Sequence, residues 1–455
     1  MQSANAYPDF GGNDDQPPPA GLTVAATAAT VSVPRGTALV IGVPADQWND
    51  WRWQMRHRVR SLDHLARHFP GIAITEGMAA AIRKFPMAIT PYYASIIRTA
   101  DPSDPVYQII VPQAAEVWDP PFLKDDPLAE DSHMPVPGLV HRYRDRALLL
   151  ATTKCSAYCR HCTRKRVAGH REACVTPARL ARMTEYLTAH PEIRDVVISG
   201  GDPFTMVTTA LERVIRAVRA VPSVDIIRIG TRTPVVLPMR ITDELVAMLK
   251  KYHPVYVNTH FNHPAELTSA AAAACTRLAD AGIPVGNQTV LLRGVNDSTE
   301  VLADLFRRLV RVRVRPYYLY QCDLVRGVEH FRTPLATGVA IMAGLRGRLS
   351  GLAIPTFVVD APDGKGKIPV APETIVSGDG EHTMLRNFEG QLVAYPEPWP
   401  IAAADPAGRR PLGVMRHSPD RPAAAARAGP FVIDHSALQD RQPGSLIRNG
   451  NSSFG

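Results

Sequence analysis

The segment ALLLATTKCSAYCRHC, residues 147–162, joins a short apolar run to three closely spaced cysteines. A continuous apolar run of this length is typical of a strand that is buried on both faces, as in a parallel sheet covered by helices. Cys155, Cys159 and Cys162 follow the run, with three and then two residues between them. The segment therefore predicts a buried strand whose carboxyl end carries a cluster of thiols.

Similar apolar runs recur downstream at intervals of about 30 residues, and each interval contains a helical pattern. In MVTTALERVIRAVRAV, residues 206–221, the apolar side chains Val207, Leu211, Val214, Ile215 and Val218 fall on one helical face. Strands that alternate with such helices predict an α/β fold, and this many repeats favour a full or partial barrel, of the (β/α)6 type, over an open sheet. The further predicted strands are DVVISG from Asp195, DIIRIGT from Asp225, VYVNTH from Val255, PVGNQTVLL from Pro284, RVRPYYLYQ from Arg313 and a seventh, TFVVDA from Thr356.

Polar motifs follow the predicted strands, at the ends where a barrel of this kind carries its chemistry. The thiols follow the first strand, and SGGDP, GTRTP and THFNHP follow the next three. QCDL follows the sixth strand and PDGKGK the seventh. We therefore expect a site at the carboxyl ends of the strands.

The sequence upstream of the barrel is predicted to be helical, and both ends of the chain are predicted to be flexible. Residues 47–69 carry one helical stripe, and residues 74–98 predict two helices broken near Pro86 and Pro91. The ends are rich in Pro, Gly, Ala or Arg and lack a sustained period. The predicted division is a flexible arm at 1–45, a helical region at 46–135, the barrel at 136–355, a lysine-containing loop and C-terminal segment at 356–400, and a flexible tail at 401–455.

Composition excludes several classes of protein. The net charge is +8, but the arginines are interspersed with acids, which favours a solvated surface over a nucleic-acid interface. No apolar run approaches the roughly 18 residues of a membrane span, and the N-terminus lacks the cations and apolar core of a signal peptide. The six cysteines do not form a secreted disulfide framework. These features predict a soluble, cytoplasmic protein without nucleic-acid or membrane partners.

The thiol cluster allows two kinds of metal site. The three cysteines could bind zinc, completed by His161 or His170, or form part of a structural knuckle. They could instead hold a 4Fe-4S cluster and leave one iron without a protein ligand. The C-x3-C-x2-C spacing favours the iron–sulfur cluster, because zinc sites more often use pairs of C-x2-C.

The motif resembles that of the radical SAM superfamily, in which the open iron binds S-adenosyl-L-methionine (SAM) for reductive cleavage to an adenosyl radical. The resemblance implies a radical SAM barrel in which the turn Ser199-Gly200-Gly201-Asp202-Pro203 meets the methionine amino group of SAM with backbone polar atoms. More of the chain resembles one family of that superfamily, lysine 2,3-aminomutase. The shared motifs run from WNDWRWQ near residue 48 through MAITPYYASII, VPGLVHRYRDR, CSAYCRHCTRKR, VISGGDP, IRIGTRTPVVLP, HFNHP, GNQTVLLRGVND, RPYYLYQCDL and EHFRTP to LRNFEG near residue 390.

The loop DAPDGKGKIPV, residues 360–370, offers Lys365 and Lys367 for a Schiff base with an aldehyde cofactor such as pyridoxal 5'-phosphate (PLP). The family resemblance selects Lys367, although Asp363 and Lys365 stand where the family usually has glycine. It also implies that five residues surround PLP. Arg142 and Arg146 are assigned to the phosphate, with Tyr143, Gln288 and Tyr320 nearby.

The resemblance further implies which residues recognise the substrate. Arg164 corresponds to an arginine that binds the substrate carboxylate, and Asp323 and Asp360 correspond to two carboxylates that bind a side-chain ammonium. A glutamate substrate would put a third carboxylate beside these two, so the pair predicts a cationic amino acid. We expect a 2,3-aminomutase, an isomerase that converts L-lysine to L-β-lysine, with arginine as the competing substrate.

Other implications concern partners and alternatives. The chemistry requires an electron donor such as flavodoxin or ferredoxin, and we expect a homo-oligomer. Family members often carry a structural zinc, which we do not expect because no cysteine follows Cys322 and Ser298 replaces the loop cysteine. The alternatives are an arginine 2,3-aminomutase, a relative that supplies β-lysine for modification of a translation factor, and a non-catalytic zinc or nucleic-acid-binding protein.

Overall fold

The computed structural model describes residues 42–379 and 382–397, so the predicted tail and nearly all of the predicted arm lie outside the described residues. The α-helices of the described part are α1 (Ala45–Asn49), α2 (Trp51–Arg56), α3 (Leu62–His68), α4 (Glu76–Lys84), α5 (Pro91–Ser95), α6 (Pro105–Ile110), α7 (Pro177–Ala189), α8 (Thr208–Arg219), α9 (Thr233–Val236), α10 (Asp243–Lys250), α11 (Ser269–Asp280), α12 (Thr299–Arg311) and α13 (Leu335–Leu345). Its strands are β1 (Leu139–Tyr143), β2 (Arg146–Thr152), β3 (Asp195–Gly200), β4 (Ile226–Gly230), β5 (Val255–Thr259), β6 (Val285–Leu291), β7 (Val314–Gln321), β8 (Thr356–Ala361), β9 (Gly366–Pro369), β10 (Ile375–Gly378), β11 (His382–Arg386) and β12 (Leu392–Pro396).

Strands β1 to β9 form one sheet in the order of the sequence. Strands β2 to β8 are parallel neighbours, whereas β1 and β9 pair antiparallel at the two edges. Each of the nine strands contributes a lining residue to one cavity of about 510 Å³, so the sheet curls around that cavity. Because β1 and β9 do not pair with each other in the described chain, the barrel is partial. The predicted α/β partial barrel is confirmed, with seven parallel strands.

The predicted strands agree with the observed ones. All seven begin within one residue of their predicted starts, because continuous apolar runs mark strands that helices cover on the outside. The helical face of α8 is also confirmed, except that Val207 lies at the N-cap and is exposed. The edge strands β1 and β9 were not predicted, since β1 contains polar residues and β9 is a four-residue strand in a glycine-rich loop.

The single helical stripe predicted over residues 47–69 is wrong, because three helices replace it. Asp50 caps α2, and the Ser61 hydroxyl accepts a hydrogen bond from the backbone N–H of His64 at 3.1 Å, which starts α3. Between these helices the backbone of Val59 pairs with that of Ile89 instead of continuing a helix. The two helices predicted within 74–98 are present as α4 and α5.

Two compact units are distinguished among the described residues. Residues up to Thr374, with Arg386–Gln391, form the larger unit and contain the nine-stranded sheet. Ile375–Leu385 and the strand from Leu392 belong to the smaller unit, where β10 and β11 pair antiparallel and the three-stranded sheet has the order β10-β11-β12. No helix of the described chain is long and apolar enough to cross a membrane.

The loops after β2 and β3 approach each other so closely that only glycine fits between them. The N–H of Gly201 donates to the carbonyl oxygen of Thr152 at 2.5 Å, and the N–H of Asp202 donates to that of Lys154 at 2.8 Å. A Cβ atom on Gly200 would overlap the Thr152 carbonyl oxygen, and one on Gly201 would overlap the backbone of Lys154. Gly200 also has a φ of 120°, a backbone angle that residues with a side chain rarely adopt.

We expect Gly201→Ala to destabilise the protein by roughly 2 kcal/mol or more, because the new methyl group must displace the backbone just before Cys155. Gly351→Ala is the matched control, since its Cβ would meet nothing within 4 Å, and it should change the free energy of unfolding by less than about 0.5 kcal/mol. Thermal unfolding at one scan rate compares the two. Equal unfolding midpoints would contradict the predicted steric role of Gly201.

Candidate functional site

The three cysteines lie on the loop that follows β2, and this loop is fastened to the helical region upstream of the barrel. The backbone N–H of Tyr158 donates to the carbonyl of Ala88 at 2.9 Å, and that of Arg160 donates to the carbonyl of Ile109 at 2.8 Å. The loop is therefore held against preceding helices on one side and against the β3 turn on the other.

The side chains of Cys155, Cys159 and Cys162 line one small cavity of about 40 Å³. Across residues 42–379 and 382–397, no group of three or more His, Cys, Asp or Glu side chains stands in coordinating geometry. Burial, and next the charge of Cys162, raises the pKa of Cys155 well above the ordinary thiol range. A bound metal centre would reverse this preference, because thiolates are its ligands. The donor set fits the predicted cluster, and the role of these cysteines stays a prediction.

A buried arginine that the sequence did not single out contacts this thiol group. Arg232 Nη1 lies 2.6 Å from Cys159 Sγ, and Arg232 Nη2 donates to Glu266 Oε1 at 2.5 Å and to the Tyr93 hydroxyl at 3.0 Å. Its Nε also donates to the carbonyl oxygen of His260 at 3.2 Å, so the guanidinium group joins separate parts of the chain. Arg232 belongs to the GTRTP motif after β4, so this motif supports the cysteine loop.

A second buried network, centred on Glu116, also fastens the cysteine loop. Glu116 has no exposed surface, and it accepts hydrogen bonds from Arg160 Nη2 at 2.7 Å and from Lys165 Nζ at 3.1 Å. The charges of these two residues outweigh burial and hold the pKa of Glu116 below its ordinary value. Removing one member of such a buried group leaves an unpaired charge, which typically costs about 3–5 kcal/mol. Arg160 and Lys165 therefore belong to the support of the loop.

The turn after β3 has one residue that faces the large cavity and one that faces the protein interior. Ser199 lines the 510 Å³ cavity. The carboxylate of Asp202 is buried and accepts hydrogen bonds from the Thr231 hydroxyl at 2.6 Å and the Arg232 N–H at 2.8 Å, so it ties the β3 turn to the β4 turn. A protonated amine only donates hydrogen bonds, so the backbone groups of this turn that suit it are carbonyl oxygens. The predicted SAM contacts of this turn stay predictions.

The residues assigned to PLP by resemblance do lie together. Arg142, Tyr143, Arg146, Gln288, Tyr320 and Lys367 all line the 510 Å³ cavity. The guanidinium groups of Arg142 and Arg146 lie 5.1 and 4.9 Å from the centre of the Tyr143 ring. Arg142 Nε is buried without a hydrogen-bond partner in the described chain, which leaves a donor for an anionic group. Arg146 Nε is paired with the exposed Asp145 at 2.9 Å.

Lys367 sits directly across a strand pair from Asp360. The two residues are register partners in β8 and β9, and Lys367 Nζ donates to the Asp360 carboxylate at 2.7 and 3.0 Å. The backbone N–H of Lys367 donates to the Tyr143 hydroxyl at 3.1 Å, which joins the lysine strand to the two arginines. Lys365, by contrast, is exposed.

Asp323 follows β7 and lies close to Asp360. One oxygen, Oδ2, accepts a hydrogen bond from the Thr163 hydroxyl at 2.6 Å, while Oδ1 is buried without a partner in the described chain. Burial, and next the charge of Asp360, raises the pKa of Asp323 to about 6. Two carboxylates with one unsatisfied oxygen form a site that a cation would stabilise.

Arg164 lines the large cavity two residues after Cys162, and the structure gives it a partner that the sequence did not predict. Its Nε lies 3.0 Å from both carboxylate oxygens of Glu130, and its Nη2 lies 2.7 Å from Oε1. Glu130 also lines the cavity. Nothing in the local pattern around Glu130 marked it as a site residue, because it lies in an irregular segment between the helical region and β1.

Comparison with known proteins agrees with this arrangement. The Radical SAM superfamily model matches residues 149–306, and the model described as Lysine-2,3-aminomutase matches residues 342–413. The chain is 53% identical over 352 residues to an L-lysine 2,3-aminomutase of Clostridium subterminale, with 77% of this chain and 85% of that protein covered. It is 51% identical over 357 residues to that of Acetoanaerobium sticklandii, with 78% and 86% covered. A glutamate 2,3-aminomutase of Clostridioides difficile is 41% identical over 353 residues, with 76% and 82% covered.

The cysteine loop and the β3 turn lie within the residues matched by the superfamily model, and the lysine strand lies within those matched by the lysine-2,3-aminomutase model. The protein is therefore an isomerase of the radical SAM superfamily, and it belongs to the lysine 2,3-aminomutase family.

Proposed function

We propose that the protein is a PLP-dependent 2,3-aminomutase that moves the α-amino group of L-lysine to the β-carbon and releases L-β-lysine. The observation that carries the proposal is the pair Asp323 and Asp360 beside Lys367. Asp360 already holds a primary ammonium group, that of Lys367, and Asp323 has a buried oxygen without a partner. When Lys367 is engaged by PLP, both carboxylates become available to a substrate ammonium group.

The two carboxylates of Asp323 and Asp360 disfavour an acidic substrate. A glutamate side chain would bring a third carboxylate to a place where burial and the charge of Asp360 already raise the pKa of Asp323, which costs several kcal/mol in a poorly solvated pocket. A lysine side chain brings the opposite charge and satisfies Asp323 Oδ1. The names of the two L-lysine 2,3-aminomutases among the relatives agree with this choice.

The opposite end of the substrate is assigned to Arg164. Its Nη1 donates no hydrogen bond within the described chain, and it lines the same cavity as Lys367. A substrate carboxylate bound there and an ammonium bound at Asp323 would fix both ends of the molecule and so restrict its orientation in the cavity. The radical chemistry requires that water be kept out of that space.

Membership of the superfamily implies a 4Fe-4S cluster and SAM, and we assign the cluster to Cys155, Cys159 and Cys162 and the methionine end of SAM to the Ser199–Pro203 turn. We assign PLP to the cavity, with its phosphate at Arg142 and Arg146 and with Tyr143, Gln288 and Tyr320 around it. Arginine forks suit phosphate oxygens, and Arg142 Nε has no other partner in the described chain. When bound, the cluster with SAM supplies a radical that abstracts hydrogen, and PLP supplies an aldehyde and a conjugated ring for the migrating nitrogen.

The residues of the chain then have separable tasks. Lys367 would hold and release the cofactor aldehyde through its amine, and the Asp360 carboxylate beside it accepts the hydrogens of that amine at 2.7 and 3.0 Å. Tyr143 fixes the backbone of Lys367 by accepting its N–H. The reaction also requires an external one-electron donor, for which a flavodoxin or ferredoxin is suited, and we propose a homo-oligomer without a structural zinc.

Lys367→Ala should abolish the absorbance of protein-bound PLP and the activity, because within the described chain no other lysine lines the assigned cavity. Lys365→Ala is the matched control, since that lysine lies two residues away and is exposed, and it should keep both. Absorbance spectra of the two variants after incubation with PLP and gel filtration make the comparison. Loss of the PLP band in Lys365→Ala rather than in Lys367→Ala would contradict the assignment.

The kcat/KM for L-lysine should fall as the pH decreases through about 6, because Asp323 gains a proton there and can no longer pair with an ammonium group. Asp323→Asn should lower kcat/KM about 10- to 100-fold at neutral pH and remove this acidic limb. The folded protein holds this proton more tightly than the unfolded chain, so the free energy of unfolding should decrease as the pH rises from about 4 to about 6.

Asp304 on α12 provides the control for this prediction, because its side chain is 45% exposed and Asp304→Asn removes a carboxylate that pairs with Arg308 at the surface. It should keep the pH profile of the unaltered protein. An acidic limb near pH 6 that persists in Asp323→Asn would show that another group causes it.

A further inference from the structure

Glu130 is buried, at 4% exposure, and its carboxylate makes three close contacts with the guanidinium group of Arg164. Burial alone would disfavour its charge, but Arg164, and next Arg166, hold the pKa of Glu130 below its ordinary value. Glu130 is thus an ionised carboxylate inside the cavity that we assign to substrate and PLP. None of the proposed chemical steps uses it.

Its position is set by a tight turn. Ala129 has a φ of 51°, a left-handed conformation that costs an alanine roughly 1–2 kcal/mol. The carbonyl of the preceding Leu128 accepts a hydrogen bond from Arg142 Nη1 at 2.9 Å. The backbone N–H of Asp131 donates to Asp126 Oδ2 at 2.9 Å on the other side of the turn. These contacts direct the Glu130 side chain towards Arg164 and fasten the turn to one of the arginines assigned to phosphate.

Glu130 contacts only one edge of the guanidinium group. It occupies Nε and one hydrogen of Nη2, whereas Nη1 donates to nothing within residues 42–379 and 382–397. An arginine can bind one carboxylate side-on through Nε and Nη2 and a second one end-on through Nη1 and Nη2. The end-on edge of Arg164 is therefore the one available to a ligand in the cavity.

We infer that Glu130 is a positioning residue for substrate recognition: it clamps Arg164 side-on so that the end-on edge of the guanidinium group is presented to the carboxylate of an α-amino acid. The inference rests on the proposed function, because it takes Arg164 as the carboxylate site. It extends that function by naming the residue that orients the guanidinium group of Arg164. A free arginine side chain samples many rotamers, and ordering it in advance removes that cost from substrate binding.

Equilibrium binding without SAM tests the inference, since no turnover occurs. Protein loaded with its cluster and PLP is titrated with L-lysine and with L-lysinamide, in which a neutral amide replaces the carboxylate, and binding is followed by the absorbance of the cofactor. Glu130→Gln should weaken L-lysine binding about tenfold or more and change L-lysinamide binding by less than about twofold. Asp131→Asn is the control on the same turn, because Asp131 is 70% exposed and pairs with Arg166, and it should change neither affinity.

Arg164→Gln separates the inference from the proposed function beneath it. If Arg164→Gln weakens L-lysine binding but Glu130→Gln leaves it unchanged or tightens it, Glu130 does not position Arg164 and the inference is overturned. If Arg164→Gln affects L-lysine and L-lysinamide equally, Arg164 is not the carboxylate site and both the assignment and the inference are overturned.

A shorter side chain covers the case in which Glu130→Gln does not fold. Glu130→Asp keeps the charge but withdraws the carboxylate from Arg164, so it should weaken L-lysine binding by a smaller factor and again spare L-lysinamide. The unfolding midpoint of each loaded variant shows whether the comparison is between folded proteins. Unchanged or tighter L-lysine binding in Glu130→Asp also overturns the inference.

Discussion

The close contact between the loops after β2 and β3 is the constraint on which the rest of the site depends. Parallel pairing aligns the two strands, and the hydrogen bond from Gly201 to Thr152 then locks the glycine turn against the start of the cysteine loop. The turn is fastened sideways by Asp202, whose buried carboxylate reaches the β4 loop. These contacts hold the cysteine loop, to which we assign the cluster, at a fixed distance from the β3 turn, to which we assign the methionine end of SAM.

Several buried charges in and near the site are paired with opposite charges. Glu116 neutralises Arg160 and Lys165 under the cysteine loop, and Glu130 neutralises Arg164 in the cavity. Asp323 differs from these acids, because one of its oxygens is buried without a partner in the described chain and burial raises its pKa to about 6. A substrate ammonium group would complete the balance there, which is why substrate binding and charge neutralisation are the same event in our proposal.

The sequence predicted the repetitive parts of this molecule well and its irregular parts poorly. Buried strands and amphipathic helices leave periodic patterns, so all seven parallel strands began within one residue of their predicted starts. The helical region failed where a capping serine at Ser61 overrides the apolar stripe. Lys367 and Asp323 were found through motifs of a known family, whereas Glu130 and Glu116 could not be, because isolated acids in irregular segments carry no pattern until the fold brings arginines to them.

The most direct test of the central claim is the identity of the amino acid that the enzyme isomerises. Protein reconstituted under anaerobic conditions with iron, sulfide and PLP is incubated with SAM, a reductant and an equimolar mixture of L-lysine, L-arginine, L-ornithine and L-glutamate, and the β-amino products are separated and quantified. We expect L-β-lysine as the dominant product. Formation of β-glutamate without β-lysine would contradict the assignment of Asp323 and Asp360 as the ammonium site, and with it the proposed function.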